Sequence, residues 1–331
     1  MTTLSLVNMF LPRFSKALPF AGCFLSFALA LASSVLAQPF AYVTHEKSND
    51  VWVIDTKTDE VVAKVEVGQR PRGVVVSPDN RLIYIANGNS NDISVIDAAT
   101  NKVVDRLSAG IDPEGIDLSP DGKLLYVVNE NAGEMRIFEI SSKTLFAIVT
   151  AGIEPETVVL SPDGRLAIIP NETSHDVTVI DTAKRTVLTS VKVGENPRGV
   201  AFTPDGRWVY VSSERTGTVS VIRTTAWAVA ETIQMGERPV GISILPDGSK
   251  IYVAHGRSND VRIIDPKTNT VIKTIPIEGK RVWWTALTPD GKKLYVTAGR
   301  SNTVAVIDTT TDTVLKMIDV GDRPWGVAVS R

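Results

Sequence analysis

One unit of about 42 residues recurs along the chain, and this repeat constrains the fold more than any other feature of the sequence. "SPDN" begins at residue 77, "SPDG" at 119 and 161, "TPDG" at 203, "LPDG" at 245 and "TPDG" at 288, so successive copies lie 42 or 43 residues apart. A second marker, "YVTH" at 42, returns as "YIAN" at 84, "YVVN" at 126, "IIPN" at 168, "YVSS" at 210, "YVAH" at 252 and "YVTA" at 295. A third, "VID" at 53, occurs seven times, degraded to "IFE" at 137 and "VIR" at 221.

Each unit holds four short strand candidates separated by Pro, Gly, Asn and Asp. In the second unit they are "GVVVS" (73–77), "LIYIAN" (82–87), "DISVID" (92–97) and "KVVDRLSAG" (102–110). Pro78 and Asp79 suit the centre of a type I turn, and the Gly or Asn that follows can take the left-handed conformation. The inner strands are apolar and β-branched without strict alternation, as in sheets packed on both faces. Four-stranded units repeated around an axis make an all-β fold, a β-propeller. Seven markers predict seven blades, and residues 38–331 number 294, which is seven times 42. The chain enters at a second strand, "FAYVTH", and leaves at a first strand, "GVAVS" (326–330), so the two ends are expected to share one blade and close the ring.

Residues 1–37 differ in kind. Arg13 and Lys16 precede an apolar run over 17–37 that ends with Val35 and Ala37 in the −3 and −1 places of a signal-peptidase site. A cleaved signal peptide, a periplasmic location and no membrane attachment after cleavage are the expectation. Cys23, the single cysteine, lies inside this segment, so the mature chain would form no disulfide and no thiolate metal site. Losing Arg13 and Lys16 takes the formal charge from -2 to -4, which gives no reason to expect a nucleic-acid partner.

One slot in the repeat keeps its backbone chemistry and changes its charge. It reads RPRG, DPEG, EPET, NPRG, RPVG, RVWW and RPWG from residue 70 onward. This loop enters the innermost strand, and it is expected at the same end of the ring as the loop copies that begin "HEKSND" (45–50). With blade 1 defined as the one containing residue 42, an acidic pole falls on blades 3 and 4: Asp112, Glu114, Glu130, Glu154, Glu156 and Glu172. Across the ring, Arg238, Arg281, Arg323, Trp283 and Trp325, with His45 and His255, form a basic and aromatic pole, and Arg72 adds to it from the side. Arginine forks match carboxylates, and tryptophan stacks on planar rings, so a planar anionic ligand would suit this pole. The acidic pole would suit a basic partner or calcium. Trp52, Trp208 and Trp227 lie away from the slots and are expected to be structural.

The "YVTN"-like strands with "VIDTxT" and "SPDG" resemble the YVTN family of propellers over residues 40–330. The order of the slot variants is similar to that of the propellers associated with PQQ-dependent catabolism. That resemblance implies an exported accessory protein beside quinoprotein alcohol oxidation, with PQQ as a candidate ligand and a dehydrogenase or cytochrome as a candidate partner. No GxSxG, HExxH or phosphate loop is present, so catalysis is not the leading expectation. A lactonase-type hydrolase, with acids near Asn171, Glu172 or His45, is the alternative. A docking scaffold is the third class, and a monomer is expected. Export predicts a mature chain that starts at Gln38, to be checked by the intact mass of the protein recovered from the periplasm. A chain still starting near Met1 would contradict it.

Overall fold

A computed structural model describes residues 39–331. The signal-peptide expectation falls on residues outside the described ones. Twenty-eight strands, β1 to β28 in chain order, form seven four-stranded antiparallel sheets, which is the predicted seven-bladed propeller. Blade 1 joins β28 (Pro324–Val329) to β1 (Phe40–His45), β2 (Asp50–Asp55) and β3 (Glu60–Glu66). The chain ends therefore do share a blade, with Tyr42 opposite Ala328 and Val43 opposite Val327.

The local reasons follow the repeat. In the S-P-D-G turns, Asn80, Gly122, Gly164, Gly206, Gly248 and Gly291 all have φ between 59° and 71°, as the turn chemistry requires. The Ser77 hydroxyl donates to Asp79 at 2.6 Å and accepts from the Leu82 amide at 2.9 Å, which locks the hairpin. The second strand of each blade is buried almost throughout, the third is mostly buried, and the fourth is largely exposed apart from one buried residue near its end. The core lies between blades. Tyr42, Val51 and Val53 of blade 1, for example, pack on Ile83, Ile85 and Ile96 of blade 2. Each such aliphatic side chain contributes about 1.5–3 kcal/mol on full burial.

The glycine of the P-x-G slot answers to close approach, where the sequence pointed to a turn. A Cβ on Gly73 would lie 2.5 Å from the Glu114 carbonyl, and one on Gly326 would lie 2.5 Å from the Arg72 carbonyl. At the five copies that carry this glycine the neighbouring inner strand comes too close for a side chain, whereas blade 7 accommodates Trp284 there in a full-length strand. Where Thr157 stands in that position, the inner strand shrinks to Val159–Leu160 and an isolated bridge from Pro155 to Asn171.

The closing seam is tied at both ends of the ring. Thr44 Oγ1 donates to the Arg72 carbonyl at 2.7 Å and accepts from the Gly326 amide at 3.0 Å. On the opposite face, buried Asp59 accepts from the Tyr295 hydroxyl and from Lys293 Nζ, the latter at 2.7 Å. Deleting Gly326–Arg331 removes most of the strand that pairs with β1, including the buried Val327, and it breaks the bond from the Gly326 amide to Thr44. The expected outcome is a fall in melting temperature of about 10 °C or more. An unchanged melt would mean the seam does not carry the ring.

Candidate functional site

The slot loop and the second loop of each blade are bonded to one another, as expected from the sequence. The amides of Glu46, Gly88, Glu130, Glu172, Glu214, Gly256 and Gly299 donate to the carbonyls of Arg323, Arg70, Asp112, Glu154, Asn196, Arg238 and Arg281. Those seven carbonyl residues precede the proline position, and all have φ between 51° and 62°. The left-handed turn points their amides at the neighbouring blade. Asn49, Asn91, Asn259 and Asn302 accept there through their side-chain oxygens at 2.9 Å. His175 takes the same position on blade 4, and its Nδ1 faces the Asn196 amide at 3.3 Å.

The residues after the proline position fill the axis. Glu114, Glu156, Val240, Trp283 and Trp325 are buried, and Arg72 and Arg198 are nearly so. Trp283 and Trp325 form an apolar plug with Val240 and are 5% and 2% exposed. The sequence places both in an aromatic pole open to a stacking ligand; on the innermost strand both are instead buried in the plug, and of the two Trp283 alone lines the cleft over blades 6, 7 and 1. Trp325 stacks on Trp284 at 5.3 Å, and the Arg281 guanidinium covers Trp283 at 4.2 Å.

The two poles are not separate. Arg70 ion-pairs with Asp112, with Glu114 at 2.7 Å and with Glu130 at 3.4 Å. Arg72 reaches Glu114 at 3.1 Å and Glu46 at 3.3 Å, so it belongs to the acidic network instead of the basic side. Arg198 pairs with Glu156, and with Glu172 and Glu214 at 2.8 Å each. Glu154 bonds Thr173 at the edge. Burial and the adjoining Glu156 push the Glu172 carboxyl up to about 8. Burial is the largest single influence on Glu156 and acts to raise it, but Arg198, the hydrogen bond from Glu172 and the charge of Arg72 together hold that carboxyl below its usual range. Burial drives Glu114 well upward against the pull of Arg72. Carboxylate oxygens of Asp112, Glu114 and Glu130 lie within 4.8 Å of one another, as do those of Glu130, Glu156 and Glu172. Guanidinium groups already supply the positive charge that calcium would bring to these sets.

His45 and His255 do not reach the opening. Both are fully buried, with Nδ1 at 2.9 Å from Asp50 and 3.2 Å from Asp260. Their position is that of Asn87 and Asn171, which bond Asp92 and Asp176 at 2.8 Å, so their place in the repeat is a hairpin anchor. Burial lowers the His255 imidazole to about 4, leaving it neutral.

A cleft of about 660 Å³ opens over blades 6, 7 and 1. Its cations are Arg198, Arg238, Arg257, Lys280, Arg281, Arg300 and Arg323, and its single carboxylate is Glu214. Arg238 meets Glu214 at 3.4 Å, Arg281 meets Glu46 only at 3.7 Å, and Arg257 pairs with Glu237 at 3.3 Å. Lys280, Arg300 and Arg323 have no carboxylate partner among the described residues. Burial lowers the Arg281 guanidinium, and the like charges of Arg72, Arg323 and Arg300 lower it further. The cause is positional. The residue one place after the His45 position is Glu on blades 1, 3, 4 and 5, but Gly88, Gly256 and Gly299 on blades 2, 6 and 7; on blade 2 the arginines are nevertheless paired by Asp112, Glu114 and Glu46. Sequence reasoning passed over Glu46, Glu214 and Arg198, although alignment of the repeats places both glutamates with Glu130 and Glu172.

Ring, plugged axis and charged upper face define a seven-bladed propeller with one strongly charged face. The family model for the cytochrome D1 heme domain matches residues 36–156 and 122–224, together more than half of the chain, and that for the seven-bladed lactonase propeller matches 184–319. The chain belongs to the β-propeller family that the first of these models describes. No curated protein matches it. Among solved structures it is similar to the hydrazine synthase of Kuenenia stuttgartiensis, at 22% identity over 76% of this chain and 87% of that one, with a TM-score of 0.70. A functionally unknown protein from Desulfotomaculum acetoxidans aligns at 17% identity over 88% and 99%, with a TM-score of 0.78. The dihydro-heme d1 dehydrogenase NirN, solved in complex with DHE, aligns at 18% identity over 87% and 74%, with a TM-score of 0.67. At these identities the likeness shows the fold alone. A haem iron takes an axial His, Met, Cys or Tyr. The cleft is lined by none of these, so its residues do not fit a haem iron.

The raised Glu172 makes a pH prediction. The native carboxyl keeps a proton that the unfolded chain releases above about 4.5, so its contribution to stability is full below that pH and is lost as pH rises through about 8. Glu172→Gln should therefore lose less melting temperature than the parent between about pH 5 and 9. Parallel melting curves would refute the assignment.

Proposed function

We propose that the chain is a non-catalytic binding or accessory propeller whose basic cleft takes a multiply carboxylated anion. The observation that carries this is the set Arg238, Arg281 and Arg323 on three successive blades, facing one opening whose only lining carboxylate is Glu214. Guanidinium forks bind carboxylates bidentately, and the half-buried positions of Arg281 and Arg323 strengthen their contacts, while Arg238 is exposed. PQQ, a flat ring with three carboxylates, is the first candidate, in keeping with the resemblance to propellers linked to quinoprotein alcohol oxidation and with a periplasmic location. The ligand would meet arginine forks above Trp283 and would not stack on Trp325, which is sealed in the plug.

Calorimetric titration with PQQ tests this. Arg323→Ala should weaken binding about ten- to a hundredfold, from the loss of one charge-assisted contact. Gly256→Glu, which puts on blade 6 the carboxylate that four other blades carry, should weaken it at least as much. Lys57→Ala, in a loop at the opposite end of the ring, should change nothing. No binding of PQQ, or equal affinity in all variants, would overturn the reading. A hydrolase of the lactonase type is the second reading, favoured by the lactonase model's match over 184–319, which takes in the cleft-forming blades 6 and 7. Turnover of a lactone panel would support it.

A further inference from the structure

The outer strands of the seven blades form the exposed rim, and each leaves one row of backbone groups unpaired. Six of these strands carry charge. Their sequences are EVVAKVE (60–66), KVVDRLS (102–108), TVLTSVK (186–192), AVAETIQ (228–234), TVIKTIP (270–276) and TVLKMID (313–319). The seventh, β11 (Thr144–Thr150), reads TLFAIVT and has none. Its only strand partner is β10 (Glu134–Glu139). Leu145, Phe146 and Ile148 are 44%, 52% and 49% exposed. A bulge interrupts all seven outer strands at the equivalent place, so the missing protection on β11 is charge.

We propose that β11 is a dimerisation edge that pairs antiparallel with β11 of a second copy of this chain about a two-fold axis at Ala147. The strand is self-complementary in that register. Thr144 meets Thr150, Leu145 meets Val149, Phe146 meets Ile148, and Ala147 meets itself. A two-fold contact requires such self-matching. The same operation on the other rims fails on charge: Asp105, Glu231, Lys273 and Lys316 would each face their own copy, and Glu60 would face Glu66. The strand at 186–192 escapes a like-charge clash, but it has Ser190 and Lys192 where β11 has Ile148 and Thr150. Exposed Val187 and Leu188 on the adjoining blade extend the apolar rim beside β11. Pairing joins two four-stranded blades into one eight-stranded sheet and covers an edge that is otherwise open to non-specific pairing.

Sedimentation velocity over a concentration series, with the chain as it exists, tests the proposal. A reversible dimer is expected, and Ile148→Lys should weaken it about tenfold or more by placing a charge opposite Phe146 twice per interface. Leu188→Lys, on the neighbouring rim, should have a much smaller effect. A second arm uses geometry. Opposed Cα atoms in an antiparallel pair are about 4.5–5.5 Å apart, within disulfide reach. In a Cys23→Ser background, Ala147→Cys should cross-link to a dimer under mild oxidation, whereas Thr144→Cys alone should not. A monomer at all concentrations overturns the proposal, even one that captures an extended peptide of another protein. So does a dimer that Ile148→Lys leaves unchanged and Ala147→Cys fails to trap. Should Ala147→Cys fail to fold, sedimentation of Ile148→Lys decides alone.

Discussion

Seven inner strands have to meet around one axis, and the rest of the structure depends on how closely they do so. The carbonyl of each post-proline residue comes so near the neighbouring blade that a Cβ on Gly199 would sit 2.1 Å from the Val240 carbonyl. This contact fixes the distance between blades and leaves the post-proline side chains to fill the remaining space. Those side chains cannot be solvated independently, since five of the seven are buried. Each must therefore find its partner on another blade. The charge reversal between RPRG and DPEG follows from this: Arg70 and Arg72 of blade 2 are matched by Asp112 and Glu114 of blade 3. A buried ion set of this kind persists only when every member is paired, because an orphaned charge in the axis would be strongly destabilising.

The fold was legible because turn chemistry and periodicity repeat seven times, so a single degraded copy did little harm. "IIPN" and "VIR" depart from their consensus, yet the strands Leu166–Asn171 and Thr218–Arg223 form in register. The ring closure was legible from strand order alone. Less of the site could be read. Which loops share the upper face followed from blade topology, and so did the gathering of acids on blades 3 and 4. Burial depth did not. A tryptophan after the proline position reads equally well as a mouth residue or a plug. The choice depends on the channel radius, which no single repeat encodes.

The histidines illustrate the same limit. His45 and His255 share a repeat position with Asn87 and Asn171, and the shared role was the informative part: a short side chain that reaches an aspartate two strand ends away. Reading the position across blades 1, 2, 4 and 6, instead of reading the residue type, points to an anchor. The position one residue further on separates the two halves of the face in the same way. Glu46, Glu130, Glu172 and Glu214 are bonded to arginines of neighbouring blades; blades 2, 6 and 7 have glycine there, and of these only blade 2 has its arginines matched by the acids of blade 3.

Gathering Arg238, Arg281 and Arg323 without an equal number of carboxylates works against stability; burial lowers the Arg281 guanidinium first, and the like charges of Arg72, Arg323 and Arg300 add to this against the pull of Glu46. A flexible loop would relieve that repulsion by moving its side chains apart. Here the pre-proline residues are held in left-handed turns, with amides capped by Asn259 and Asn302, and their carbonyls are bonded to the second loop of the same blade. The repulsion is thus held by the same hydrogen bonds that build the blades. The proposed anion, placed among the three guanidinium groups, would offset it without disturbing the ring. Binding such an anion would stabilise the folded state in proportion to its occupancy, and closure of the ring and affinity of the cleft become two readings of one rigid arrangement.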